Sequence, residues 1–448
     1  MIKKILLYLL SSCIFFSCSF DKVSGIWSGT EKEKRRLGEI QIEQKETLNK
    51  RKLYSTENIY NTEIQPTLNT KISKPEQNTS WDLAGYNNQN LLKNFYLPAI
   101  NNRFLKKKFG KNKFPILKTA SSPIISNETI FLSDDRGTIY NLSKSGSTIW
   151  KKNIYKKMYK NIYKYLSIIK YKNSIYVSDN IGFLYSLSAD TGELLWAKNH
   201  GIPLKSKIKI FEDKIILINQ DNRILTFNSK DGTKLWDVRS VSSFIKSQQL
   251  LSVAISKNKK LFALTSAGDL LKIDVNNGRV EWLLNTLASL KAYDTDFFSS
   301  SDIVIDGDKL LLSAGPSFFS FDLATGFINW KKNYSSSLTP IVILDNIFIV
   351  TNSGYLLNIN KANGNIIWSI NILSYLKRKK QNTLITGFIL GSGKIYATTA
   401  NGYIVVLSAS TGTFESTFKV ADSILVPPII VDGALYVLSN EPKIIGLN

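Results

Sequence analysis

Cysteine is nearly missing from this 448-residue chain: there are two, Cys13 and Cys18, both within the first eighteen residues. The rest of the sequence therefore has no disulfide to brace it, no thiolate metal site and no catalytic cysteine. Histidine is scarcer still, and the single His200 excludes a multi-histidine metal cluster. Long apolar runs are also lacking. The most apolar stretch, Ile5 to Phe16, is too short to cross a bilayer as a stable helix. Acidic residues fall short of basic ones, 35 against 58, which leaves a formal charge of +23. Such an excess fits either a surface for anionic partners or a compositional drift towards Lys, Asn and Ile. The lysines are spread along the whole chain, which favours drift, although a basic surface still attracts anionic headgroups.

What is present is a repeat. Glycine is followed four residues later by tryptophan at Gly146–Trp150, Gly192–Trp196, Gly232–Trp236, Gly278–Trp282, Gly326–Trp330 and Gly364–Trp368. A seventh copy, Gly412 to Ser416, keeps the frame without the ring. Successive glycines lie 46, 40, 46, 48, 38 and 48 residues apart, the range of a four-stranded propeller blade. Alternating strands such as Ser174 to Asp179 precede each copy, and Asp-Thr-Gly or Asn-Gly elements mark hairpin turns. Pro123, Pro340 and Pro427 stand at one phase just before an inner strand, where a missing N–H is tolerated.

Residues 81–448 divide into eight units of 46 residues, and the last unit stops before its outer strand. The expected fold is all-β: an eight-bladed propeller of four-stranded antiparallel blades. The missing strand is assigned to the stretch around Trp81, which would close the ring by pairing the two ends and remove exposed edges.

The amino terminus reads as an address. Lys3 and Lys4 precede the apolar run, and residues 1–17 form a secretory signal. Phe15-Phe16-Ser17-Cys18-Ser19 resembles a bacterial lipobox, with Cys18 as the lipidated residue. Leu10-Ser11-Ser12-Cys13 matches that consensus better at one position but leaves too short an apolar region. Acyl chains on Cys18 would hold the protein on a membrane. Ser19, where lipoproteins kept at the inner membrane carry aspartate, points to the outer membrane. Residues 18–80 read as the lipidated cysteine and a disordered polar tether, with 81–448 as the propeller.

The remaining motifs favour bland readings. Gly391-Ser392-Gly393-Lys394 lacks the spacing of a phosphate loop and falls where other blades turn. Asp190, Asp231 and Asp322 belong to repeated turns. The Tyr/Lys stretch from Lys156 to Lys172 mixes basic and aromatic residues as single-strand nucleic-acid binders do. It also contains an inner strand, so no nucleic-acid partner is expected. Lys377 to Lys380 is read as an exposed loop, and His200 as a loop residue without catalytic partners.

The Gly-x-x-x-Trp element resembles the tryptophan-docking motif of quinoprotein (PQQ-type) propellers, in which the indole packs between adjacent blades. Trp150, Trp196, Trp236, Trp282, Trp330 and Trp368 are therefore read as structural. Six rings at one phase cannot all line one site. No convergent carboxylate set or adjacent cysteines accompany them, so neither a cofactor, nor a metal, nor an enzymatic activity is expected. The lipobox, polar tether and propeller together, with Cys18 to Trp27 and Trp81 with Gly85-Tyr86-Asn87, resemble the BamB family of the outer-membrane β-barrel assembly machinery.

That resemblance implies a scaffold lipoprotein on the periplasmic face of the outer membrane. It would bind the periplasmic domains of the barrel-assembly protein BamA and assist unfolded outer-membrane clients. It places partner contacts on loops of two adjacent central blades, best matched by Phe244, Ile245 and Lys246 and by Asp294 and Asp296. A propeller adaptor or envelope sensor with a different partner stays open as the alternative.

Overall fold

The computed structural model describes residues 35–40, 42, 60–66, 69–112, 121–240, 250–287, 299–377 and 381–448. Eight four-stranded antiparallel sheets form the blades of one propeller. Blades 1 to 7 each use consecutive strands, over 124–153, 166–199, 209–239, 252–285, 304–332, 341–371 and 385–419. The first strands are buried and mostly short, as in Ile124–Ser126, those of blades 2 and 7 being longer, and first strands of neighbouring blades lie side by side. The fourth strands, such as Thr148–Asn153, form the exposed rim. Alternation therefore gives way to nearly continuous apolar runs in the middle strands, which are buried on both faces between blades.

The eighth blade closes the ring from both ends of the chain. Ile429–Val431, Ala434–Ser439 and Lys443–Leu447 supply three strands, and Arg103–Lys108 supplies the outermost. The expected closure by the N-terminal side holds, but the strand is not the one around Trp81. Trp81 pairs through a single antiparallel bridge with Ile125, on the inner strand of blade 1. Its ring is buried against Phe95 and Tyr86.

The segment from Asn78 to Leu97 crosses the centre of the ring instead. Its main chain bonds to inner strands at Ile125, Lys170, Ile255, Ile305 and Leu390, in blades 1, 2, 4, 5 and 7. Asn78 donates to Ile430 O in blade 8, and Asn88 to Ile210 O in blade 3. Asn90 donates to both Val253 O and Ile303 O, at 3.1 and 2.8 Å. Seven of the eight inner strands, all but that of blade 6, are thus hydrogen-bonded to one segment.

Residues 60–66 and 69–80, within the stretch 18–80 expected to be a tether, make contacts with the blades. Ile64 exchanges both backbone bonds with Ser369, adding a strand to the outer edge of blade 6. Thr70 N donates to Ser410 O of blade 7, while its hydroxyl accepts from Asn358 Nδ2 at 2.7 Å. Residues 35–40 form a helical turn whose Leu37 and Ile40 are buried beside blades 1 and 2. The signal segment and Cys18 lie outside the described residues.

Candidate functional site

Each tryptophan of the repeat sits opposite the strand residue that precedes a bulge, as Trp150 does opposite Asn141. Its ring reaches over the third turn of the next blade. There a glycine with positive φ makes room: a Cβ on Gly192 (φ +70°) would stand 2.6 Å from the Trp150 ring. Glycines 232, 278, 326, 364 and 412 receive the following five rings in the same way. The indole N–H groups of Trp150, Trp196, Trp236, Trp282 and Trp330 donate to carbonyls of that turn, at 2.9 to 3.2 Å. This is interblade packing by aromatic burial.

The partner residues expected at Phe244, Ile245, Lys246, Asp294 and Asp296 lie outside the described residues. Their flanks are informative. The first segment follows Lys234–Arg239 and precedes Ser252–Ile255; the second follows Val280–Asn285 and precedes Val304–Asp306. Both join the outermost strand of one blade to the innermost of the next, so both leave the same face of the ring in successive blades. Ser240 and Asn285, at the roots of the two segments, converge on Asp269 of blade 4, at 2.5 and 2.7 Å.

On that face the channel mouth is crossed by the chain's own side chains. Lys207, two residues before the inner strand of blade 3, pairs at 2.6 Å with Asp302, two residues before that of blade 5. The contact skips blade 4 and so spans the opening. Thr339, before blade 6, adds a 2.6 Å hydrogen bond to the same carboxylate. Burial, the largest single influence, presses Asp302 towards its neutral form, yet the charge and hydrogen bond of Lys207, the Thr339 hydrogen bond and the charge of Lys209 together outweigh it and hold the carboxyl below the usual range. Deeper in, Lys209 is fully buried, with its ammonium group donating to Asn87 O, Asn90 Oδ1 and Ala84 O at 2.7, 2.6 and 3.4 Å. Burial first, and the charge of Lys207, push its pKa down to about 7, against the pull of Asp302.

These residues do not fit the quinone and metal that the docking motif brings to mind. The mouth carboxylate is already committed to Lys207 and Thr339, and the next level of the channel holds an ammonium group where a cation would need oxygen ligands. Among the described residues no three His, Cys, Asp or Glu side chains cluster as metal ligands.

The other motifs fall where turn and strand chemistry puts them. Ser392 and Gly393 form a hairpin turn whose N–H groups donate to Phe95 O and Asn94 Oδ1 of the central segment. Asp231 and Asp322 accept from backbone N–H groups of their own turns. Lys157–Tyr159 is a single 3-10 turn and Leu166–Tyr171 the inner strand of blade 2. Residues 378–380 of the basic run lie outside the described residues. His200 follows the outer strand of blade 2, Leu194–Asn199, with its ring 4.4 Å from that of Phe227. Lys207, Lys209 and Asp302 were not legible as a group, because their meeting depends on blade closure and not on any spacing.

A solved structure of BamB from Moraxella catarrhalis matches with a TM-score of 0.64 at 14% identity, covering 78% of this chain and 99% of that one. A europium-containing methanol dehydrogenase reaches the same TM-score of 0.64 at 10% identity, covering 80% and 89%. Backbone likeness alone therefore shows the fold and does not separate a scaffold from an enzyme. The curated relatives matched by sequence carry an assembly-factor name. The outer membrane protein assembly factor BamB of Shewanella oneidensis is 24% identical over 289 residues, 61% of this chain and 68% of that protein. The Yersinia pestis protein of the same name is 20% identical over 296 residues, 60% and 70%. Residues 135–370, more than half of the chain, match the family described as outer membrane protein assembly factor BamB, and the chain belongs to that family.

Proposed function

We propose that this protein is a non-enzymatic assembly factor for outer-membrane β-barrel proteins, held by a lipid on Cys18 at the periplasmic face of the outer membrane. Family membership over residues 135–370 is the observation that carries this reading. The geometry agrees with a scaffold. The Lys207–Asp302 pair joins the approaches to the inner strands of blades 3 and 5 and commits both groups within the chain. The segments 241–249 and 288–298, which join blade 3 to blade 4 and blade 4 to blade 5, carry the residues we assign to the periplasmic domains of a BamA-like protein: Phe244, Ile245 and Lys246, and Asp294 and Asp296. An apolar anchor flanked by charges of both signs suits a modest, steered interface.

The test is a pull-down of the full chain with those periplasmic domains, comparing wild type with a Lys246→Glu, Asp296→Lys variant. Loss of capture with unchanged melting supports the assignment. Undiminished capture overturns these loops as the contact. Crosslinking in the native envelope then identifies the partner: a trapped protein that is not the barrel-assembly protein favours an adaptor role of another kind.

A further inference from the structure

The outer strands carry charge unevenly around the ring. In blade 8 Leu105 stands opposite Gly446, at the register position that Trp150 holds opposite Asn141 in blade 1. The next two rim residues are Lys106 and Lys107 in blade 8 and Lys151 and Lys152 in blade 1. The same two positions hold Ala197 and Lys198, Asp237 and Val238, Leu283 and Leu284, Lys331 and Lys332, Ser369 and Ile370, and Thr417 and Phe418 in blades 2 to 7. Paired lysines therefore recur only in blades 8, 1 and 5. In blade 5 they are engaged within the chain: Lys331 lies over the Phe319 ring and Lys332 reaches Asn365 Oδ1 at 2.8 Å.

Glu128, Asp432 and Glu441 on the blade 8 and 1 flank are already held in ion pairs within the chain. Lys144 holds Asp432 and Glu128, and Lys443 holds Glu441. Arg103, Lys106, Lys107, Lys108, Lys151 and Lys152 form no ion pair among the described residues, and all but the half-buried Lys107 are exposed. Protection of sheet edges by lysine does not account for this pattern, because every blade has an outer edge and those of blades 2, 3, 4, 6 and 7 lack the lysine pair at these two positions. Blades 8 and 1 also lie across the ring from blades 4 and 5, which border the segment 288–298.

We propose that the rim of blades 8 and 1 is a membrane-contact surface for anionic lipid headgroups, which turns the opposite side of the ring towards its protein partner. The inference rests on the proposed anchoring at Cys18, which keeps the rim within a Debye length of the bilayer often enough for several lysines to act together.

The test uses the full lipidated chain reconstituted into vesicles of phosphatidylcholine, with or without about one third phosphatidylglycerol. Lysine acylation is then read by mass spectrometry. The expected result is a slowing of at least about threefold at Lys106, Lys107, Lys108, Lys151 and Lys152 in the anionic vesicles, reversed by salt. Lys331 and Lys332 should label alike in both. Equal slowing at all exposed lysines, or none at the rim, overturns the proposal. In a variant with Lys106, Lys107, Lys151 and Lys152 all changed to Gln, protection of Lys108 should vanish. Should that variant not fold, the wild-type footprint alone decides. Flotation with phosphatidylcholine vesicles reads the acyl anchor by itself, so loss of anchoring and loss of the basic contact are distinct outcomes.

Discussion

Leu105 occupies in blade 8 the position that Trp150 occupies in blade 1, and each packs over the glycine of the next blade, Gly146 and Gly192. The docking series thus runs from Leu105 through six tryptophans to Trp368 over Gly412. It ends at Ser416 for a geometric reason. A ring there would have to reach over the third turn of blade 8, and blade 8 has no such turn, since its third and fourth strands come from opposite ends of the chain. The lost tryptophan and the ring closure are one fact.

Unequal burial makes the tryptophans unequal in weight. Trp368 is fully buried because residues 64 and 70 cover its strand and edge, whereas Trp282 is only partly buried. Trp368→Ala should cost about 3–5 kcal/mol and Trp282→Ala about 1–2 kcal/mol in urea denaturation. Ser416→Trp should add no stability, as it has no turn to dock on.

Closure and filling of the centre are separable. Leu105→Ala removes the docking contact of blade 8 on blade 1, one of seven in the series, and should destabilise by about 2–4 kcal/mol. Deleting residues 78–90 unpairs inner strands and should also lower the melting temperature, although for a different reason from the strand closure expected of that stretch. Hydrogen exchange distinguishes the two. The deletion should expose amides of Ile125, Ile255 and Ile305, and Leu105→Ala those of Lys443–Leu447.

How much of this was legible follows from sequence distance. The Gly–Trp frame is local, so blade number and turn positions could be read directly. Arg103–Lys108 pairs with residues more than three hundred positions away, and nothing local marks it as an outer strand. Trp81 attracted that role because it is aromatic and lies near the start of the repeat. Asn78, Asn88 and Asn90 likewise read as ordinary polar residues, and only the ring supplies the carbonyls they satisfy. Of the candidate partner loops, only the positions at which they join adjacent blades could be inferred.

Lys209 gives the ring a distinctive alkaline response. Its pKa, lowered to about 7 by burial, lies below the 10.5 of an unfolded lysine. Between those values the unfolded chain binds the extra proton, so this group makes stability rise as pH increases from about 7 towards 10.5. Lys209→Met should remove that rise. It should also leave Asn87 O and Asn90 Oδ1 without their buried donor, at a cost on the order of 3 kcal/mol. Melting curves at pH 7 and 9 measure both effects, and an unchanged pH dependence in the variant would refute the assignment.

His200 acts on the acid side. Burial, then the charges of Lys234 and Lys198, lower its pKa from 6.5 to about 4. From pH 6.5 down to about 4 the unfolded state takes up a proton that the folded state refuses, so stability falls with falling pH through this window. The ring already lies against Phe227, its Nε2 has no hydrogen-bond partner among the described residues, and the backbone N–H keeps its 2.7 Å bond to Gly182 O whatever the side chain. His200→Phe should therefore leave stability at pH 8 nearly unchanged and flatten the decline between pH 6.5 and 4. Urea midpoints at pH 8, 6 and 4.5 compare the two proteins. A decline as steep in the variant as in the wild type would assign the acid sensitivity to carboxylates instead.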